Sequence, residues 1–179
     1  METADRIQAL RDHVLTHKDA SVIHALRTDP TVDARALRAS EDIDAWSVRA
    51  GLLTRERLAS MRFVMDDLAL LAGRLRPAYT VPPDEEAEAL TYLAQYTLQW
   101  PGQTGHCELD FDPVMQIGID GLAAQIQARM DEATDAKAAT YRSFLYTLEG
   151  LSSMIENAAA AVEAAMPDAS PARQEELET

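Results

Sequence analysis

An all-α fold is what this 179-residue sequence predicts, on three observations. Apolar residues recur at spacings of three and four through most of the chain, the pattern of helices that bury one face. Prolines, glycines and acidic side chains fall where such stripes would start or stop. The composition is 47% hydrophobic with alanine prominent and only 6% aromatic, which fits a helical globular chain rather than a disordered one.

Taken in order, residues 5–18 read as an amphipathic helix with Ile7, Leu10 and Val14 on one side. Shorter helical pieces follow over 22–27 and 33–39, so residues 1–44 read as a peripheral N-terminal segment. A further helix is expected over 41–50 with Gly51 as its stop, and Thr54 then caps a helix carrying Leu58, Met61, Val64 and Leu68. Periodicity alone continues that helix to Leu75, although a break is expected before Gly73. Residues 76–83 form a linker with three prolines in eight positions. Asp84, Glu85 and Glu86 then sit in a first turn, where the helix dipole favours acids, and this helix should run to about Leu98.

From Trp100 to Leu122 a polar loop punctuated by Gly102 and Gly105 runs into a cleanly started helix, with Asp112 as N-cap and Pro113 in its first position. Val114, Ile117, Leu122, Ile126 and Met130 continue its stripe, while Gly118 and Gly121 leave room for a close neighbour. Residues 136–166 make the longest stripe, through Phe144, Leu148, Leu151, Ile155, Ala159 and Val162, and Pro167 ends it. At 1.5 Å per residue this helix is about 45 Å long, and a helix of that length needs neighbours along it. The main domain therefore spans 45–166, and 167–179 is a polar tail expected to be flexible.

Charge and cysteine usage narrow the function. A formal charge of −14, from 30 acidic and 16 basic residues, argues against nucleic-acid binding, which depends on Lys and Arg displacing counterions from phosphates. No apolar run approaches the ~18 residues of a membrane span, no signal-peptide core is present, and Cys107, the single cysteine, makes no internal disulfide. A cytoplasmic location is expected.

His106, Cys107, Glu108, Asp110 and Asp112 crowd several ligand types into seven residues. The mixture matches neither zinc spacing nor a calcium loop, so no metal is expected and Gly105, His106, Asp110 and Asp112 are read as residues that order the loop. Ser152 and Ser153 lie inside a helical pattern without the strand, elbow glycines or base of a hydrolase, and His13, His17 and His24 have no motif partners.

The order Gly105-His106, Asp110 and Asp112, Val114, Gly118, then Gly121-Leu122 resembles the early part of the pyruvate formate-lyase domain of glycyl radical enzymes. Asp66-Asp67-Leu68 with Ala72-Gly73-Arg74 is similar to the segment that precedes this loop in the family, and would make 67–74 turn or extend. The run from Tyr141 through Glu149 to Ala159 resembles the family's long "FY…D…RYA" helix, and Pro171, Arg173 and Glu175-Glu176-Leu177 its "DPxRxxEL" helix start. The alignment covers 45–179.

The resemblance implies the helical N-terminal portion of an α/β barrel, lacking most or all of its strands. It also implies that Tyr141 and Glu149 face the substrate, Glu149 standing for the usual aspartate and Asn157 where an arginine is common. The family's lyases and dehydratases use a glycyl radical installed by a radical S-adenosylmethionine activase, relayed by a cysteine in a "CxE" context. Neither that cysteine nor an "RVxG" glycine can be placed in this sequence, and Val48-Arg49-Ala50-Gly51 is a chance likeness. No catalytic residue or bound cofactor is therefore assigned. The chain is expected to be inactive alone, as a truncated product or as one half of a split enzyme whose second chain carries the remaining barrel. The alternative is a stand-alone acidic helical module for protein interaction.

Overall fold

A computed structural model describes residues 3–16, 29–65, 74–75, 81–96 and 112–178. The described chain is helical apart from one minimal ladder. Its elements are α1 (Thr3–Thr16), α2 (Pro30–Arg38), α3 (Trp46–Ala59), β1 (Phe63–Val64), β2 (Arg74–Leu75), α4 (Pro83–Leu93), α5 (Asp112–Asp131), α6 (Asp135–Ala165), a 3₁₀ turn (Met166–Asp168) and α7 (Pro171–Leu177). They fall into two compact units, one of residues 29–59 and 81–152, the other of 1–28, 60–80 and 153–179.

The first unit is built on α2, which packs against both α3 and α4. Asp29 starts α2, its Oδ1 accepting the Thr31 amide at 2.8 Å and the Thr31 hydroxyl at 2.7 Å, with Pro30 preset for the first helical position. Leu37 is fully buried and forms the core with Ala36 and Leu53, against which Tyr92, Leu93 and Tyr96 pack. The buried Ser40 hydroxyl donates to the carbonyls of Ala36 (2.9 Å) and Leu37 (3.2 Å), so its polar atom is satisfied. Asp33, also buried, receives two bonds from Arg57 of α3, at 2.7 and 2.6 Å. Residues 29–44 are thus central rather than peripheral. The short α2 stripe of Val32, Ala36 and Leu37 is weak as a local pattern but has two helices to bury it.

Helix α3 corrects a second expectation. It runs unbroken through Gly51, and the Thr54 hydroxyl bonds back to the Ala50 carbonyl at 2.9 Å instead of capping a new helix. Gly51 is there for proximity: a Cβ on it would lie 2.7 Å from the Ser143 Cα of α6. Gly150 of α6 does the same in return, since its Cβ would lie 2.7 Å from the Arg55 Cα of α3. The two helices therefore cross with their backbones touching, at two glycines contributed one by each partner.

Helix α4 ends at Leu93, short of the expected Leu98, where the chain tightens into turns closed by the Tyr96 amide on the Leu93 carbonyl at 2.9 Å. Helix α5 begins at Asp112 with Pro113 next, as expected, but it is bent. Gly118 has φ 67° and ψ −177°, a region open essentially to glycine alone, and among the described residues no other element comes within 4 Å of where its Cβ would be. Its role is conformational, not the close packing expected of it. A Cβ on Gly121 would first meet the Ile117 side chain of the same helix, at 2.7 Å.

In the second unit β1 and β2 pair antiparallel, Phe63 opposite Leu75 and Val64 opposite Arg74. The helix expected to pass Leu58 and Val64 stops at Ala59, before either break considered for it, and Arg74 is extended. Asn157 donates to the Met61 carbonyl at 3.1 Å, holding the chain just after α3 ends. In α1 Arg6 is buried, whereas Ile7 of the expected stripe is 54% exposed and Leu10 is half-buried. Arg6 reaches Glu176 at 2.6 Å, and Arg173 holds the same carboxylate at 2.8 Å. The segment expected to be a flexible tail thus contains a helix, with Ser170 capping the Arg173 amide at 3.3 Å and Gln174 donating to the Met166 carbonyl at 2.9 Å. The piece expected over 22–27, with His17 and His24, lies outside the described residues, and so does the side chain of His13.

Candidate functional site

Tyr141 and Glu149 lie on α6 eight residues apart, slightly more than two turns, which sets them on nearly the same side of the helix, about 80° apart around its axis, with about 12 Å of rise between them. Tyr141 is half-buried and meets the ring of Phe144 edge-on at 6.5 Å, while Phe144 itself is 49% exposed. The Glu149 side chain is 56% exposed and faces Arg55 of α3, whose guanidinium lies 3.4 Å from it.

Arg55 is the residue that sequence reasoning missed. Its Nε and NH2 both bond Glu56, at 3.1 and 2.9 Å, and its guanidinium lies 5.2 Å from the Tyr146 ring centre. Burial works against its charge, but the hydrogen bonds it donates to Glu56 and Glu149 outweigh that and raise its pKa. Ninety-four residues separate Arg55 from Glu149, and no spacing rule links them. The available signal was Gly51, one turn before Arg55, and Gly150, next to Glu149, once both are read as contact points.

A second polar cluster closes the α3/α4 end of the same unit. Glu41 accepts the Tyr92 hydroxyl at 2.6 Å, Tyr92 and Tyr96 share a hydrogen bond at 3.1 Å, and Arg49 donates to Tyr96 at 3.1 Å. Trp46 stacks on Tyr96 with ring centres 6.3 Å apart, and the Arg49 guanidinium lies over both rings. Desolvation and the Glu41 carboxylate push the Tyr92 hydroxyl up, while Tyr92 and the Arg49 guanidinium hold Tyr96 below its ordinary range. Arg38 lies 4.5 Å from the Tyr92 ring centre and bonds Glu88 at 2.9 Å, across a groove of about 560 Å³ between α2 and α4.

Of the loop-ordering residues, Asp112 is exposed at the start of α5, while Gly105, His106 and Asp110 lie outside the described residues, as does Cys107. Among the described residues no cluster of His, Cys, Asp or Glu is placed to hold a metal ion, and no helix is long and apolar enough to cross a membrane.

No curated protein and no solved structure matches the chain significantly. The model of the pyruvate formate lyase-like family matches residues 78–179, a segment that takes in α4, α5, α6 and α7 and amounts to more than half of the sequence. With the start of α5, the long α6 and its Tyr141/Glu149 face all inside that match, the chain belongs to the pyruvate formate lyase-like family.

Proposed function

We propose that these residues form the helical, substrate-facing part of a cytoplasmic glycyl radical lyase, inactive by themselves. In this reading the hydrogen-abstracting machinery comes from further residues of the same or a second polypeptide. The observation that carries the reading is how little α5 and α6 bury. Helix α5 has no buried residue in 20, and α6 has only Gly150 in 31. Val114, Met115, Ile117, Phe144 and Ile155 are all exposed along them. Helices this long are stable in water only with neighbours, so their exposed apolar side chains are surfaces for the remainder of a barrel to cover.

On the completed enzyme Tyr141 and Glu149 would bind and orient substrate, Tyr141 through its hydroxyl and Glu149 as an acceptor of hydrogen bonds. This chain moves no hydrogen atom, because it offers neither the radical glycine nor the relay cysteine. The test is to co-express the chain with a polypeptide carrying the "CxE" and "RVxG" segments and with an activating enzyme, then record electron paramagnetic resonance spectra. A glycyl radical signal in the co-purified complex is expected, and a partner that forms its radical without ever retaining this chain would overturn the proposal.

The reading of an autonomous interaction module draws on one observation, the closed core of α2, α3 and α4 around Leu37. Light scattering on the isolated chain with a hydrophobic dye separates the two. A dye-silent, cooperatively melting species favours the module, and a dye-binding one favours the enzyme part.

A further inference from the structure

We propose that Arg55 is the positioning residue for Glu149, resting on the proposed role of the Tyr141/Glu149 face. Arg55 lies upstream of residues 78–179 and so outside the family match, yet it is the cation that meets the acid on the matched helix. Three features turn that meeting into a fixed arrangement. The Gly150 contact seats the α3 backbone at Arg55 itself, one residue along from Glu149, so neither helix can slide without separating the pair. Glu56 holds the guanidinium through two of its nitrogens, which leaves NH1 directed to Glu149. The Tyr146 ring lies beside the same guanidinium and limits where it can swing.

This arrangement also answers the length of the side chain. Glu149 has one more methylene than the aspartate expected at this place, and hence one more torsion to order. An arginine held by its own neighbour limits that freedom and keeps the carboxylate extended along the α6 face. The segment before residue 78 would then set the reach of an acid that the family segment supplies.

Carbodiimide labelling of carboxylates in the intact 179-residue chain, read by peptide mass spectrometry with the exposed Glu156 as internal reference, tests this. Glu149 should label about two- to fivefold more slowly than Glu156, the range that a partly exposed ion pair supports. Arg55→Gln should bring the two rates together, and Arg55→Lys, which keeps the charge but not the fork that Glu56 holds, should restore only part of the difference. Melting curves of all three proteins identify any general loosening, which would raise labelling at many sites and not at Glu149 alone. Equal rates in the unaltered chain, or an Arg55→Gln protein in which Glu149 stays slow, would overturn the proposal. The labelling is independent of any lyase activity. If Arg55 protects Glu149 but Glu149→Gln leaves turnover of the assembled enzyme unchanged, the positioning stands and the substrate-facing reading fails.

Discussion

The segment before residue 78 and the family segment after it divide burial unequally. The buried apolar side chains Val32, Ala34, Ala36, Leu37, Val48 and Leu53 lie upstream, and Ala89 is the one such side chain among the residues described downstream. The exposed large apolar side chains are distributed the other way, with Leu90, Val114, Met115, Ile117, Phe144 and Ile155 downstream against Ile7, Leu15 and Trp46 upstream. The part that carries the family pattern is therefore the part that these residues bury least, while the part outside the match builds a core that Tyr92, Leu93 and Tyr96 of the match close, and lends Arg49 and Arg55 to residues of the match. A family segment can keep its helices and still depend on contacts that its own sequence does not contain.

The comparison breaks most easily at Asp33. Arg57→Ala would leave a buried carboxylate without its two-pronged partner, and a loss of about 3–5 kcal/mol is expected in urea unfolding followed by circular dichroism. Leu37→Ala should cost about 2–5 kcal/mol by the same measurement, because it opens a cavity in a filled core. Met115→Ala on α5, where Met115 is 82% exposed, should change stability by no more than about 0.5 kcal/mol. Comparable losses for Leu37 and Met115 would abolish the contrast between the two segments.

Gly118→Ala sharpens it further. Alanine holds φ 67° with ψ −177° only at a cost of about 1–3 kcal/mol, and with no other described element within 4 Å of the site the cheapest relief is to straighten α5. Helical ellipticity should rise, whereas an unchanged spectrum with lower stability would show that the bend is held by contacts. The smallest effect concerns Glu176, pushed down to about 2 by hydrogen bonds from Arg6 and Arg173. A carboxylate depressed in the folded state stabilises it above its ordinary value of 4.5, and that contribution fades as the pH falls towards 2. Hydrogen exchange in α7 should therefore quicken, relative to its intrinsic rate, between pH 4.5 and 2, and Arg6→Gln should flatten that dependence.

The legible parts of the fold were those written in local signals. Helix α6 falls within one residue of the expected span at each end, because an uninterrupted stripe and Pro167 mark it, and Asp112 with Pro113 announce α5. The glycines were not legible, since one letter serves opposite ends. Gly51 lets a helix continue against a neighbour 92 residues away, and Gly118 interrupts one with no other described element beside it. The family pattern draws attention to Tyr141 and Glu149, but the contact of Arg55 with Glu149 has no sequence signal, because it is set by how α3 and α6 cross. The N-terminal stripe misled for a related reason: Arg6 is buried by a partner at the far end of the chain, and Ile7 stays exposed.

The ring stack of Trp46 on Tyr96 has an optical consequence. The sequence contains two tryptophans, so Trp100→Phe leaves Trp46 as a single emitter, half-exposed and in contact with a phenol and a guanidinium that both alter its quantum yield. Its emission then becomes an intrinsic gauge of whether the end of α4 is seated on α3. That gauge can be read in dilute solution without a label, and it follows the upstream core while the downstream helices are titrated with whatever covers them.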